Sequence, residues 1–367
     1  MAARKVHLIA AARPNFMKVA PLWHALQASG DYMPVLIHTG QHYDPNMSAA
    51  VFADLRLPDP DFHLGVGSGS HAEQTGKVLI AYGEIAAAHR PDWLVVVGDV
   101  NSTIACTLAG TKLGIRTVHL EAGLRSRDRR MPEELNRLAT DVLCDVLWTP
   151  SPDGDRNLAA EGIPADRITR VGNIMLDSFE MSRPQIEAAA TPASLGLSRG
   201  GYAVVTLHRP SNVDEPAQLA ALADALAAVQ ARLPIVFPVH PRTAQRLAAA
   251  GLDARLRALG VRLIEPLPYI AFMSLVLEAG AVITDSGGLQ EETTYLGIPC
   301  FTLRENTERP ITVEQGTNRL TNPADLPGLV AGALGANAPA PARPEYWDGQ
   351  TAARCLADLR RRDGRGG

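Results

Sequence analysis

Short apolar runs separated by helical patterns recur from one end of this 367-residue chain to the other, and that alternation constrains the fold more than any other feature. The runs are Val6–Ala11, Val35–Thr39, Trp93–Val97, Thr117–Leu120, Val146–Thr149, Ala203–Leu207, Ile235–Val239, Ala281–Thr284 and Cys300–Leu303. Between most of them lie helical patterns such as Ala72–His89, Pro216–Gln230 and Leu289–Leu296. Continuous apolar runs mark strands buried on both faces. Strands alternating with helices build βαβ units and mostly parallel sheets, so the class is α/β. Right-handed crossovers then put every loop that follows a strand on one rim of its sheet.

The length suits about two domains. The break falls between Gly172 and Gly201, where Arg183–Gly201 carries two prolines, a run of alanines and SLGLSRGG before a second strand series begins at Tyr202. Expected domains are therefore 1–172 and 173–350. The helix-like TAARCLADLRR, about 351–363, follows a Pro/Ala-rich stretch at 338–346 and is expected to pack back on the first domain. The terminal RRDGRGG is expected to lack order.

With 46% hydrophobic and 20% charged residues the composition is that of an ordinary globular protein. A net charge of −4 argues against a nucleic-acid partner, and the run Arg125, Arg127, Arg129, Arg130 reads as a solvated loop edge. No apolar stretch reaches about 18 residues, so no membrane span is expected. Arg4-Lys5 before VHLIAAA imitates a signal peptide, but the run is short and meets Arg13-Pro14 at once, as a first strand would. Cys106, Cys144, Cys300 and Cys355 have neither metal nor redox spacing and read as reduced core thiols of a cytoplasmic protein.

Two of the apolar runs stop on an acid, Asp99 after WLVVVG and Glu121 after TVHL, and Pro132-Glu133-Glu134 reads as the first turn of a helix. Ligands of open α/β sheets bind beyond the carboxyl ends of the strands, so Asp99, Glu121 and Glu133 are expected to share a cleft and do acid/base work. Taken singly, each has a structural alternative: an aspartate after a strand also serves as a helix N-cap.

In the second half, TDSGGLQEETTYLG follows a strand and opens a helix. Ser286, Gly287 and Gly288 would bring backbone N–H groups to the positive end of that helix, a seat for a diphosphate, and Glu292 could accept a ribose hydroxyl pair. A plain tight turn is the alternative. His208-Arg209 and His240-Pro241-Arg242 sit at strand ends and suit an anionic ligand, with Arg13 and Lys18 of the first domain expected to face them.

Nine blocks, ARPNFMKVAP, HTGQHYD, GDVNST, HLEAGLRS, MPEELNR, HRPSN, PVHPR, TDSGGLQEE and ENTERP, occur in the order found in non-hydrolysing UDP-N-acetylglucosamine 2-epimerases, and the chain resembles that family over about residues 5–350. The resemblance implies two Rossmann-like domains facing across a cleft (the GT-B arrangement). It also implies cytoplasmic interconversion of UDP-GlcNAc and UDP-ManNAc for surface polysaccharides, usually by a homodimer. It matches Asp99, Glu121, Glu133 and His208 to catalytic positions and Lys18 to a basic residue implicated in catalysis. Arg13, His240, Ser286, Gly287, Gly288 and Glu292 match UDP-contacting positions. Phe272 matches the aromatic packed against uracil, and Arg309 would lie near the nucleotide.

The implied reaction eliminates UDP to a 2-acetamidoglucal and adds it back with inversion at C2. That route calls for acid/base groups on two faces and a cradle for the departing diphosphate, but no metal or cofactor. Two departures bear on it. Asn15 replaces an acid common in the first loop, which leaves room for a modified sugar such as UDP-2,3-diacetamido-glucuronic acid. Members activated by a second UDP-GlcNAc use residues matching Gln41-His42 plus an Arg-Glu pair where this chain has Pro210-Ser211. A hydrolysing epimerase and a GT-B glycosyltransferase are the other readings.

Overall fold

A computed structural model describes residues 2–40, 52, 54–334 and 343–365, in two compact units: Met1–Ser182 with Glu345–Gly367, and Arg183–Pro344. Among the described residues, the first holds seven parallel strands: β1 (Arg4–Ala10), β2 (Tyr32–His38), β3 (Phe62–His63), β4 (Trp93–Val97), β5 (Arg116–Leu120), β6 (Val146–Thr149) and β7 (Ile168–Arg170), in the order β3-β2-β1-β4-β5-β6-β7. The second holds β8 (Ala203–Thr206), β9 (Ile235–Pro238), β10 (Arg262–Ile264), β11 (Ala281–Thr284), β12 (Cys300–Thr302) and β13 (Asn318–Leu320), in the order β10-β9-β8-β11-β12-β13.

Both orders are those of a doubly wound Rossmann sheet, reversing direction beside the first strand of each unit. The switch points are therefore β1/β4 in the first unit, where Leu8 pairs Val95, and β8/β11 in the second, where Thr206 pairs Thr284. The central strands are wholly apolar runs because helices cover both faces: Leu94, Val95 and Val96 are fully buried, as are Val204, Val205, Val282 and Ile283. All four cysteines are free and buried. Among the described residues, no helix is long and apolar enough to cross a membrane.

The units divide inside the helix Ile174–Ala189, at Ser182/Arg183 rather than at 172/173. The start of that helix is committed to the first unit: Ile174, Leu176 and Phe179 are buried there, and Asp177 accepts the N–H groups of Thr351 (3.1 Å) and Ala352 (2.8 Å). The C-terminal helix Thr351–Arg362 lies in the same unit, where Asp358 accepts from Trp148 Nε1 at 2.9 Å.

The expectation of a disordered RRDGRGG is overturned at Asp363. Its carboxylate is fully buried at the amino ends of the strands, paired with Arg4 and Arg116 and accepting from Tyr32 (3.0 Å) and Trp93 (3.3 Å). Most of residues 338–346, from 338 to 342, and Gln41 and His42 lie outside the described residues.

Candidate functional site

In the first unit, the turn after β4 is built around Gly98, whose φ of 67° only glycine adopts cheaply. A Cβ there would stand 3.5 Å from both Glu121 Oε2 and Lys18 Nζ and 3.7 Å from Asn15 Nδ2, so three side chains converge on this bare backbone. Lys18 and Glu121 form an ion pair with little exposure. Asn15, buried, accepts from the N–H of Ala12 (3.1 Å) and donates to Val97 O (3.3 Å), stitching the start of the helix Arg13–Ser29 to β4. Arg13 opens that helix; its side chain lies outside the described ones.

Asp99 is not an N-cap. The helix Asn101–Lys112 is capped at Val100 without a side-chain bond, and Asp99 instead pairs with the buried Arg137. Arg137 also binds Glu134 at 2.8 Å. Glu134 accepts the N–H groups of Ser126 and Arg127, each at 2.9 Å. Burial alone would raise its carboxyl, but these donors hold it below the usual carboxylate range.

Glu133 opens the same helix, Pro132–Leu143, half-exposed and without a hydrogen bond or ion pair among the described residues. The two adjacent glutamates thus differ sharply: one locked, one free. The arginine run is not a solvated edge throughout, since Arg125 is buried between Glu161 and Asp141, both 2.7 Å away, while Arg130 is exposed.

In the second unit, Asp285 directly follows β11, fully buried at the switch point. It accepts the backbone N–H of His208 (3.0 Å) and Arg209 (2.9 Å), Asn212 Nδ2 (3.1 Å), and His208 Nδ1 (2.8 Å). Burial opposes its ionisation, yet His208 and these donors hold the carboxyl low. His208 is therefore fixed through Nδ1, with Nε2 free among the described residues. The His240 ring lies 6.1 Å away, its Nδ1 accepting the N–H of Arg242.

Three guanidiniums gather at the start of the helix Gly287–Leu296, capped by Ser286. A Cβ on Gly287 would reach Arg309 Nη1 at 3.0 Å and Arg304 Nη1 at 4.0 Å, and Arg309 lies 2.9 Å from Glu291. Arg304 grips Glu308 twice, at 3.0 and 2.9 Å. Against the cost of burial, Arg304 and Arg309 hold Glu308 down at about 2. Burial, followed by the charge of Arg304, lowers Arg209, the crowding of cations that a bound anion would relieve.

Deeper in that helix, Glu292 is buried and accepts from Tyr269 at 2.9 Å. Burial pushes its carboxyl up to about 7 against the pull of that hydroxyl, with Glu291 adding to the rise. Phe272 stands three residues beyond Tyr269 in the helix Tyr269–Leu277, half-exposed, where the two rings share a face.

Sequence reasoning thus singled out Lys18, Glu121, His208, His240, Arg309, Gly287 and Glu292, which the structure sets in two clusters, one per unit. It also pointed to Arg209, which joins the second cluster, but missed Asp285, Arg137, Glu134, Tyr269 and Arg304. Asp285 and Arg137 lie inside the blocks TDSGGLQEE and MPEELNR, read there for their glycines and glutamates.

A twin Rossmann architecture, with a charged, buried constellation at one switch point and a cluster of guanidiniums, a histidine and a buried glutamate at the other, is the frame of a two-domain nucleotide-handling enzyme. The family model for UDP-N-acetylglucosamine 2-epimerase matches residues 24–360. A UDP-N-acetylglucosamine 2-epimerase of Methanococcus maripaludis is 39% identical, covering 86% of this chain and 87% of that protein. The UDP-2,3-diacetamido-2,3-dideoxy-D-glucuronate 2-epimerase of Pseudomonas aeruginosa is 38% identical over 87% and 89%. The crystal structure of the Methanocaldococcus jannaschii UDP-GlcNAc 2-epimerase in complex with UDP-GlcNAc and UDP aligns with a TM-score of 0.84 at 37% identity, covering 97% and 99%. The chain belongs to the UDP-N-acetylglucosamine 2-epimerase family and is a sugar-nucleotide 2-epimerase.

Proposed function

We propose that the chain is a non-hydrolysing UDP-GlcNAc 2-epimerase that interconverts UDP-GlcNAc and UDP-ManNAc. The observation that carries this is the division of chemistry between the switch points: a lysine-paired Glu121 and an arginine-paired Asp99 at one, and a histidine, three guanidiniums, a glycine-rich helix start and a buried glutamate at the other.

In this reading the second unit takes the nucleotide. Glu292 accepts the ribose hydroxyls, Phe272 flanks uracil, and the N–H groups of Ser286, Gly287 and Gly288 with Arg309 and His240 hold the diphosphate. The first unit takes the sugar. The C2 hydrogen is not beside a carbonyl, so it is acidified only as the C1–O bond breaks. The bonding pair leaves with UDP while one of Asp99, Glu121 or Glu133 takes the C2 proton, giving the 2-acetamidoglucal. Proton delivery from a second of these groups to the opposite face of C2, with return of the UDP oxygen to C1, completes inversion. His208, fixed through Nδ1, offers Nε2–H to the charge developing on UDP, and Lys18 holds Glu121 in place. The scheme draws on no metal or cofactor.

The decisive experiment is incubation with UDP-GlcNAc in D2O followed by NMR. UDP-ManNAc carrying deuterium at C2 is expected. Free ManNAc with stoichiometric UDP would mean a hydrolysing enzyme, and no turnover would overturn the substrate. A second reading, a 2-epimerase for a diacetamido-glucuronic acid sugar, is favoured by the Pseudomonas aeruginosa relative and by the neutral Asn15 beside Glu121. Comparing kcat/KM for the two sugar nucleotides separates them. The reading also carries cytoplasmic location and a homodimer, the latter checked by sedimentation.

A further inference from the structure

The loops bearing Asp99 and Glu121 are gripped by one pair of side chains that no substrate could reach. We propose that Asp141 and His119 are positioning residues, a buried clamp that sets the Asp99 and Glu121 turns together and so fixes two of the three carboxylates from a single point. The inference rests on the epimerase reading above.

Glu121 adopts φ 72°, a left-handed conformation that a side chain rarely takes without support. The support comes from Asp141, fully buried in the helix Pro132–Leu143. Its Oδ1 lies 2.6 Å from Nδ1 of His119, two residues before Glu121, and its Oδ2 accepts the N–H of Gly123, two residues after, at 3.1 Å. The far side of that turn is packed too closely to shift: Gly123 has φ 81°, and a Cβ on it would stand 2.5 Å from Gly154 O.

His119 then reaches sideways. Its Nε2 donates to Gly98 O at 2.8 Å, the carbonyl immediately before Asp99. One ring nitrogen faces a carboxylate and the other a carbonyl, so both donate. Burial opposes ionisation of Asp141, but the charges of His119 and Arg125, the latter 2.7 Å from Oδ2, hold its carboxyl low. The same helix supplies Arg137 to Asp99 and opens on Glu133, so one rigid element governs all three acids. His119 and Asp141 have no exposed surface and act only through these turns.

The test uses His119→Asn, whose amide reaches the Asp141 side only, His119→Gln, which reaches the Gly98 side only, and Asp141→Asn. Each is expected to lower kcat for UDP-GlcNAc roughly 10- to 100-fold, the scale of a reacting group displaced by about 1 Å. KM and UDP affinity are expected to hold within about threefold. The partition of C2 deuterium between recovered UDP-GlcNAc and UDP-ManNAc in D2O should also move from the wild-type value. A merely structural role lowers the folded fraction and leaves that partition unchanged. Folded histidine variants with wild-type kcat, or losses that track melting temperature at constant partition, overturn the clamp, whatever becomes of Asp141→Asn. Should the wild-type protein not turn over UDP-GlcNAc, the functional reading fails instead. The clamp is then decided by proton NMR of the nitrogen-15-labelled protein, where two exchange-protected His119 ring N–H signals support it and a single one overturns it.

Discussion

His208 donates from Nδ1 to Asp285 across 2.8 Å, and the same buried carboxylate takes the backbone N–H groups of His208 and Arg209, so ring and loop are held by one acid. Replacing His208 by Ala is expected to lower kcat roughly 10²–10⁴-fold. Asp285→Asn in that background should add less than it costs alone, because the ring contact is already gone and only the hold on the loop is left to lose. Steady-state kinetics of the two single variants and the double variant check this. Fully additive losses would separate the residues.

The two neighbouring glutamates of Pro132–Leu143 should fail in different ways. Glu133→Gln, like Asp99→Asn and Glu121→Gln, is expected to cut turnover roughly 10²–10⁴-fold with UDP affinity within a few-fold. Glu134→Gln weakens its buried contacts to Ser126, Arg127 and Arg137 and should cost about 1–3 kcal/mol of stability instead. Denaturation and kinetics on the pair decide it. A Glu133→Gln protein with near-normal turnover removes that residue from the catalytic set.

The raised carboxyl of Glu292 gives unliganded protein a pH-dependent stability. The folded state holds this proton more tightly than the unfolded chain, so the contribution is fully present below about 4.5 and is lost as pH rises through about 7. The scale is on the order of 3 kcal/mol. Ribose hydroxyls favour the ionised form, so UDP binding near pH 6.5 should release protons. Calorimetry in buffers of different ionisation enthalpy measures this. Glu292→Gln should abolish the release and weaken UDP by about 1–3 kcal/mol; unaltered proton release would assign it to another group.

Asp363→Ala should destabilise the first unit by about 3 kcal/mol, since it strands Arg4, Arg116, Tyr32 and Trp93 around a lost buried carboxylate. Chemical denaturation reads the loss directly, and a change under 0.5 kcal/mol, the scale of an ordinary surface substitution, would show the tail to be dispensable.

Pro210 and Ser211, which open the short helix Pro210–Val213, supply neither the cation nor the carboxylate with which activated relatives would hold a second sugar nucleotide. Rate against UDP-GlcNAc is expected to be hyperbolic, and UDP-ManNAc alone should react without a lag. A sigmoidal curve would show activation through other residues.

The nine central strands were legible because burial on both faces leaves an uninterrupted apolar run. The edge strands Phe62–His63, Ile168–Arg170, Arg262–Ile264 and Asn318–Leu320 were not, since two or three residues cannot display a pattern. Among the site residues, acids at strand ends and the Ser-Gly-Gly turn announce themselves locally. Asp285 sat within a motif read for its glycines. Asp141 lies midway along a helix, with nothing nearby to show that it would meet His119 and Gly123 in space. Arg125 looked solvated because its partners Asp141 and Glu161 are distant in the chain.

The left-handed backbone at Glu121 sets foldability against chemistry at one position. A glycine there would relieve the strain and lose the carboxylate, so libraries screened for folding alone should drift towards Gly or Asn at 121, whereas screens for turnover should return Glu. The gap between those two outcomes would measure what the reaction demands of this backbone.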